Sequence, residues 1–228
     1  MATLKTAITD WLRVKVQTGT PATPAAGYGI FYDKNGTPAY KNAAGDETIM
    51  GASAGGSGLV LLEQHTASTS ASLSFTTFIS STYDEYQFEF INLIPATTNA
   101  ILQMKMSTDG GSTYAAGTSY KYIGFYTGIG DSLTSIASSG AAAIDLARST
   151  STQANYSSHG SLKLFNPASA SLYKNVMSQV VNVVSTGSLY IWTSHGAYIS
   201  TTAVDAVQFI FSNGNIASGT IRAYGISK

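Results

Sequence analysis

Three histidines, His65, His159 and His195, are the only side chains of this chain that titrate near neutral pH in an ordinary environment. None of them stands in a metal-binding spacing such as His-x-His or His-Glu-x-x-His, so a zinc site would require all three to converge in the fold. The sequence therefore predicts a protein that binds no metal or cofactor and is not an enzyme.

Acidic residues cluster mainly as direct neighbours, Asp46-Glu47 and Asp84-Glu85, and neighbouring side chains on a strand point to opposite faces. Glycoside hydrolysis needs two carboxyl groups about 5 to 10 Å apart, and distant positions could still supply such a pair. The segment Asp33-Lys-Asn-Gly36 begins like a calcium loop but lacks the later ligands and the closing Glu. We predict a turn there, and another at Asp109-Gly-Gly111.

Aromatic side chains are the remaining candidates for ligand contact, because a flat ring can stack on a sugar while His or Asn bonds its hydroxyls. We select Trp192, His195 and Tyr198 as candidate glycan-binding residues, since Ser194-His-Gly196 is predicted to be a loop flanked by rings. The alternative is that these rings fill the core or a subunit interface. The other aromatic residues considered near loops are Tyr120, Tyr122, Phe125 and Tyr126.

The charge composition excludes several classes of partner. Charged residues make up only 11% of the 228 residues, with 12 basic and 12 acidic side chains. An ordinary soluble domain has about 25%, so some of the surface is expected to face other subunits. There is no basic excess for a nucleic-acid backbone, no cysteine for disulfides, and no apolar run of about 20 residues that would span a membrane.

The N-terminal region, residues 1–57, is predicted to be an attachment segment. Residues 1–26 fit either a short helix or strand followed by a linker, or a docking segment that orders on its partner, and Asp10 and Arg13 argue against a signal peptide. Residues 27–50 predict a β-hairpin around an Asn35-Gly36 turn. Residues 51–58, half of them glycine, predict a flexible linker.

Residues 58–228 predict an all-β domain, an antiparallel β-sandwich of the jelly-roll type, because short apolar-alternating runs are separated by turn residues. Tyr86, Phe88 and Phe90 alternate with polar residues, which indicates a strand with one wet face. Val180, Val181, Val183 and Val184 are apolar on both faces, as in a strand covered by a second sheet or by another subunit. The final strand-turn-strand, residues 209–226, predicts the closing edge of the domain.

Several segments resemble bacteriophage virion proteins of the tail-fibre or appendage type. They are Gly58-Leu-Val-Leu-Leu-Glu-Gln-His-Thr-Ala-Ser68, Phe75-Thr-Thr-Phe-Ile79, Tyr83-Asp-Glu-Tyr86, Met106-Ser-Thr-Asp-Gly-Gly-Ser-Thr-Tyr114 and Asn215-Ile-Ala-Ser-Gly-Thr-Ile-Arg222 with Tyr224-Gly-Ile226. The residue 27–50 hairpin resembles those near the roots of trimeric phage fibres. The resemblance implies a structural role in a particle and names no ligand.

The resulting expectation is a non-enzymatic virion protein, made in the host cytoplasm and assembled as a homotrimer. Residues 1–50 would contact other virion proteins, and the C-terminal domain would face outward and touch host surface glycans. A capsid decoration or head-fibre protein is the alternative within the same particle. A polysaccharide depolymerase and a non-viral lectin are the competing classes, although the chain has no short parallel repeat of the β-helix kind.

Overall fold

The computed structural model describes residues 16–17, 21–34, 37–49 and 58–226. The chain divides into two compact units, Met1–Gly56 and Ser57–Lys228, one residue from the predicted boundary. All the secondary-structure elements in the described residues are β-strands, so the all-β prediction is confirmed. Over the same residues, no helix has the length and hydropathy needed to cross a membrane. The predicted Asn35-Gly36 turn and residues 51–57 of the predicted linker lie outside the described part.

The N-terminal unit contains a four-stranded sheet in the order β1-β2-β3-β4. The strands are β1 (Val16–Gln17), β2 (Ile30–Lys34), β3 (Thr37–Lys41) and β4 (Glu47–Ile49). Strand β1 is parallel to β2, whereas β2 and β3 form the predicted antiparallel hairpin and β3 continues into β4. The remaining residues of the predicted helix or docking segment, 1–15 and 18–20, lie outside the described part.

The two faces of the hairpin differ in burial. Tyr32 and Ala39 are opposite each other and are buried. On the other face, the Phe31 and Tyr40 rings lie 4.9 Å apart, and Phe31 is 62% exposed. The period of two in this short sequence therefore produces one covered face and one aromatic face in contact with solvent.

The C-terminal unit contains twelve strands. They are β5 (Leu59–Ser70), β6 (Leu73–Phe75), β7 (Glu85–Pro95), β8 (Leu102–Ser107), β9 (Tyr120–Gly128), β10 (Thr134–Ala141), β11 (Ile144–Ala147), β12 (Ser158–Phe165), β13 (Lys174–Val183), β14 (Leu189–Tyr198), β15 (Ala206–Phe211) and β16 (Ile216–Ile226). No strand is predicted from the sequence at residues 134–141, where β10 lies, because the Ser, Gly and Ala residues there lack the aromatic and branched side chains that favour strands.

The strands of the C-terminal unit form two antiparallel sheets that share one core. The large sheet has eight strands in the order β10-β9-β14-β13-β12-β7-β16-β5, and the small sheet has four in the order β11-β8-β15-β6. Buried side chains from both sheets form a single hydrophobic cluster. This is the predicted two-layer antiparallel arrangement, in which each large-sheet strand turns one face inward and the other outward.

The final strand-turn-strand does not form a closing edge. Strand β15 belongs to the small sheet, whereas β16 lies inside the large sheet and pairs with both β5 and β7. The Asn213-Gly214 turn thus crosses from one layer to the other. The alternating pattern predicted which side chains face inward, but it contains no information about which strands become neighbours.

Phenylalanine rings form the centre of the core. Phe88 of β7 lies 5.2 Å from Phe209 of β15 and 5.5 Å from Phe75 of β6, measured between ring centroids. All three residues are fully buried, and the Phe75–Phe88 pair has an edge-to-face geometry. The predicted alternation of Tyr86, Phe88 and Phe90 is confirmed, since all three point into this core.

A bulge interrupts the pairing of β7 with β16. Asn92 adopts a positive φ of 53°, and the pairing register shifts on either side of Ser218. Opposite it, Gly219 has a φ of 117°, and a Cβ at that position would lie 2.5 Å from the backbone oxygen of Asn92. Glycine is therefore required here both for conformation and for space.

Candidate functional site

Strand β14 contains all three residues predicted to bind a glycan, Trp192, His195 and Tyr198. The predicted loop at residues 194–196 is wrong, because this segment pairs with β13 on one side and with β9 on the other. Side chains alternate along a strand, so Trp192 and Tyr198 point towards the small sheet and His195 points away from it. The structure therefore separates the three residues between two faces of the large sheet.

Packing against β11 explains why loop-forming residues occur inside β14. A Cβ on Gly196 would lie 2.8 Å from Cγ2 of Ile144, and the Ser194 hydroxyl donates a hydrogen bond of 2.6 Å to the backbone oxygen of Asp145. Small residues allow the edge strand of the small sheet to approach β14 closely. Tertiary packing here overrides the local preference of Ser and Gly for turns.

Trp192 is part of the interior. Its indole is 3% exposed and stacks on the Tyr126 ring at a centroid distance of 4.2 Å. The indole Nε1 donates a hydrogen bond of 2.8 Å to Oδ1 of Asn182, which is also buried. Tyr190 extends the same stack of rings. The face that a sugar would need on Trp192 is thus covered by protein.

Tyr198 and Tyr120 also belong to the inner side of the sheet. Their rings lie 5.4 Å apart, and Tyr120 is fully buried. The Tyr120 hydroxyl oxygen accepts a 2.7 Å hydrogen bond from the backbone N–H of Met106, and burial raises the pKa of this tyrosine. The structure therefore fits the alternative to glycan binding, in which both rings fill the core.

Asp145 is a buried carboxylate that is bonded by three side chains. It accepts hydrogen bonds from Arg148 at 2.7 Å, from Gln103 at 2.7 Å and from the Tyr122 hydroxyl at 2.9 Å. Burial, together with the negative charge of Asp145, raises the pKa of Tyr122. These contacts fix β11 to the two sheets and occupy the carboxylate, which favours a structural role.

The outer surface of the large sheet, on the side away from the small sheet, is the largest open face of this unit. Its first four strands, β10, β9, β14 and β13, form what we call the apolar half. The outward side chains here are those of Ser135, Ala137, Lys121, Ile123, Phe125, Thr127, Leu189, Ile191, Thr193, His195, Ala197, Asn175, Met177, Gln179, Val181 and Val183. Lys121 is the one charged residue among them.

The other four strands, β12, β7, β16 and β5, form the charged half. Here Lys163 pairs with Glu85, and the next strands add Glu89 and Arg222. Three apolar side chains, Leu59, Val60 and Leu61, are also exposed on the edge strand β5. The ionic side chains of the outer surface are therefore concentrated on one side of the sheet.

A single row of cross-strand neighbours shows this change along the surface. The row runs from β9 to β16 through Phe125, Thr193, Gln179, Ser161, Glu89 and Arg222, each paired with the next. Paired residues on one face of a sheet are in contact range. The surface thus passes from aromatic through neutral polar to ionic within six strands.

Three adjacent shallow depressions mark the middle of the outer surface. Their volumes are about 410, 280 and 460 Å³. Gln179 and Thr193 line the first two, and Met177 and His195 line the last two. Sequence reasoning selected only His195 from this region. The available signal for the rest was the apolar character of both faces at residues 180–184.

A serine and a histidine lie together at the start of β12. The Ser157 hydroxyl is 3.0 Å from Nε2 of His159 and 3.4 Å from Oδ1 of Asn92. A serine nucleophile needs a base that is itself oriented by a third group, and no such contact to Nδ1 of His159 is present in the described residues. The sequence also contains one Gly-x-Ser-x-Gly spelling, at residues 51–55, outside the described part.

The predicted turn at Asp109-Gly-Gly111 is closed by its own side chains. Asp109 accepts hydrogen bonds from the hydroxyls of Ser107 at 2.7 Å and Thr113 at 2.6 Å, and the turn prediction is confirmed. These bonds lower the pKa of Asp109 to about 2, with the Thr113 hydroxyl as the largest cause. Across the described residues, no three His, Asp or Glu side chains group as metal ligands would.

Comparisons of the whole chain with protein-family models, with curated proteins and with solved structures found no match. The residues and contacts of this chain are therefore the basis for its function, and among them the outer surface of the large sheet is the most informative feature.

Proposed function

We propose that this protein is a non-enzymatic structural subunit of a bacteriophage particle, present in several copies. One observation is central to the proposal: the apolar half exposes large side chains on a chain with only 11% charged residues. Such a surface is typical of a protein that is partly covered by neighbours in its working state. The resemblance of residues 58–226 to virion proteins supports a particle as the place of assembly.

The architecture suits a mechanical role. Antiparallel sheets of eight and four strands enclose one aromatic core, and most of their contacts join residues far apart in sequence. Folds dominated by such non-local contacts form slowly and depend on cooperative packing. A rigid two-layer body of this kind is a suitable building block for a fibre or appendage.

The N-terminal unit is proposed to attach the protein to other virion components. Tyr28 is 73% exposed and Phe31 is 62% exposed, and the Phe31 ring lies 4.9 Å from the Tyr40 ring on the hairpin. Aromatic residues contribute a large contact area at low entropic cost, which is why they are enriched at interfaces. This surface is the part of the described N-terminal unit best suited to docking.

The test is to locate the full-length chain on particles from the source culture. Particles would be banded in a density gradient, and antibody against the chain would be imaged on them by electron microscopy. We expect the chain to band with particles at regular positions, on the tail for a fibre or on the head for the decoration alternative. A chain that is abundant in the lysate and absent from banded particles would overturn the proposal.

Contact with host glycans is the second candidate role, and the depressions around Gln179 and His195 are the observation that favours it. Trp192 and Tyr198 are not available for it, since both face inward. A glycan array probed with the full-length chain tests this role, and His195→Ala is the variant that should lose binding. Equal binding by the variant would remove His195 from the hypothesis.

A further inference from the structure

We propose that the apolar half of the outer surface is the interface through which copies of this chain associate. The proposal depends on the multi-copy role described above and assigns it to a particular surface. Ile191 is 55% exposed, Ile123 48% and Met177 47%, and all three lie on neighbouring strands of one sheet. Ile191 pairs with Val181, and Ile123 and Met177 lie on either side of His195. Apolar side chains grouped in this way on one open face usually mark an interaction site.

The size of the surface fits a specific interface. With strands about 4.8 Å apart and a rise of about 3.3 Å per residue, four strands of about ten residues cover about 600 Å². A pair of copies facing each other would bury about 1,200 Å², the lower end of the range for specific protein interfaces. Two sheets can pack face to face in this way at a separation of about 10 Å.

The charge of the surface favours a second copy over a charged partner. Lys121 is the one charged residue among the outward positions of β10, β9, β14 and β13, and it is at one end of β9. A surface that meets another copy of itself brings like charges together, and here there is little charge to repel. An acidic or basic macromolecule would find no complementary ionic pattern.

The polar side chains in the middle of the surface are compatible with this interface. The side chains of Thr193, Gln179 and His195 can both donate and accept hydrogen bonds. They are surrounded by apolar residues, of which Phe125 pairs with Thr193 in the sheet. An apolar patch with a few central hydrogen-bonding groups matches the composition of interfaces between protein subunits.

Two charge-introducing variants of the full-length protein test the proposal. Ile191→Lys adds a cation in the middle of the apolar half, and Gln87→Lys adds the same charge to the charged half of the same sheet. Sedimentation velocity across a concentration series would measure their assembly. We expect a multi-chain wild type, a dissociation constant raised about 30-fold or more by Ile191→Lys, and no change for Gln87→Lys.

A second measurement separates loss of association from loss of folding. The chain contains no cysteine, so Thr193→Cys and Gln87→Cys each introduce a single thiol. We expect maleimide to modify the Thr193→Cys thiol slowly in concentrated protein and at least ten-fold faster after dilution. The Gln87→Cys thiol should react at one rate throughout.

The outcomes distinguish the inference from the proposed function. A multi-chain wild type that Ile191→Lys leaves intact overturns the interface and leaves the multi-copy role standing. A chain that is monomeric at every concentration overturns the interface, and particle banding then decides the function separately. Binding of a neutral polysaccharide by a monomeric wild type, lost in Ile191→Lys, would overturn the interface in favour of a glycan site.

Discussion

The two halves of the outer surface differ in chemistry although they belong to one continuous sheet. Strands β10, β9, β14 and β13 present Ile, Phe, Met, Leu and Val outward, whereas β12 and β7 with β16 present Lys163, Glu85, Glu89 and Arg222. Both halves have the same antiparallel pairing, and both cover the same hydrophobic core on the inner side. The difference is confined to the outward side chains, which take no part in forming that core.

An apolar residue in a strand can be explained either by burial in the core of the chain or by contact with a partner, and the two halves allow these explanations to be distinguished. In β13 and the residue that follows it, Val180 and Val184 are buried at 3% and 5% exposure, whereas Val181 and Val183 are half-buried on the open side. The core explains the first pair. In the charged half, by contrast, the outward side chains include Lys163, Glu85, Glu89 and Arg222, as expected for a solvated face. The second pair therefore indicates a partner beyond the chain itself.

The largest expected effects are losses of stability when core side chains are truncated. These losses should be similar beneath the apolar half and beneath the charged half. Trp192 lies under the apolar half and Phe88 under the charged half, and both are buried. We expect Trp192→Ala and Phe88→Ala each to lower the free energy of unfolding by about 3 to 5 kcal/mol. Urea denaturation in dilute solution measures both.

A large difference between these two losses would contradict the view that the halves differ only on the outside. Dilution is essential, because association of the wild type would make its apparent stability depend on protein concentration. The comparison is therefore made below the concentration at which copies associate.

A buried lysine gives the next largest effect. Lys174, at the start of β13, is fully buried, and its ammonium donates to the backbone oxygens of Ser169 at 2.6 Å, Leu172 at 2.8 Å and Thr201 at 3.0 Å. The apolar half thus keeps this cation on the inside, where it joins two loops. Lys174→Met should lower the free energy of unfolding by about 2 kcal/mol, because the carbonyls lose their donor.

Lys163→Met in the charged half is the matched control for this substitution. It removes the same group from the solvated face, so its cost should be well below that of Lys174→Met. If the two substitutions lowered the free energy of unfolding equally, the three hydrogen bonds from Lys174 to carbonyl oxygens would contribute no more than the surface ion pair of Lys163.

The sequence predicted which side chains point into the core better than it predicted which strands lie next to each other. Tyr86, Phe88 and Phe90 were assigned inward from a period of two, and they are inward. That period depends only on local backbone geometry. The order β9-β14-β13 brings Phe125, Ile191 and Val181 onto one surface, but three other strands separate β9 from β13 and β14 in the chain. No local pattern encodes that order.

The candidate site failed for a related reason. Ser194 and Gly196 were interpreted as loop residues from their local preferences, whereas Ile144 of another strand requires small side chains there. Once the segment is a strand, alternation moves Trp192 to the inside and leaves His195 outside. The prediction depended on a tertiary contact that the sequence around residue 195 does not contain.

A smaller effect is expected from the ion pairs of the charged half. Lys163, with 46% of its side chain exposed, pairs with Glu85. Lys163→Gln should lower the free energy of unfolding by less than about 1 kcal/mol. About 1 M salt, which screens charges beyond about 3 Å, should reduce the difference further.

Lys121→Gln in the apolar half is the comparison for this ion pair, since Lys121 forms no ion pair with any residue that the structure describes. Thermal denaturation at low and high salt would show a salt-dependent loss for Lys163→Gln and a salt-independent one for Lys121→Gln. The reverse pattern would show that the ionic side chains of the charged half do not act through pairing.

The smallest effect tests the comparison most directly, because it uses two adjacent residues of one strand. Val180 points into the core opposite Trp192, and Val181 points outward opposite Ile191. Threonine has nearly the shape of valine and is equally suited to strands, so Val→Thr changes only polarity. Val180→Thr should lower the free energy of unfolding by about 2 kcal/mol because a hydroxyl is buried, whereas Val181→Thr should change it by less than about 0.5 kcal/mol in dilute protein.

For association at high protein concentration, we expect the opposite order: Val181→Thr should have the larger effect and Val180→Thr the smaller. Val181→Thr should weaken assembly in sedimentation measurements, because a hydroxyl replaces a methyl group on the surface that meets the second copy, while folded Val180→Thr assembles like the wild type. If Val181→Thr instead destabilised the dilute protein as much as Val180→Thr, the outer valines would belong to the fold of the single chain. The apolar half would then need no partner to explain it.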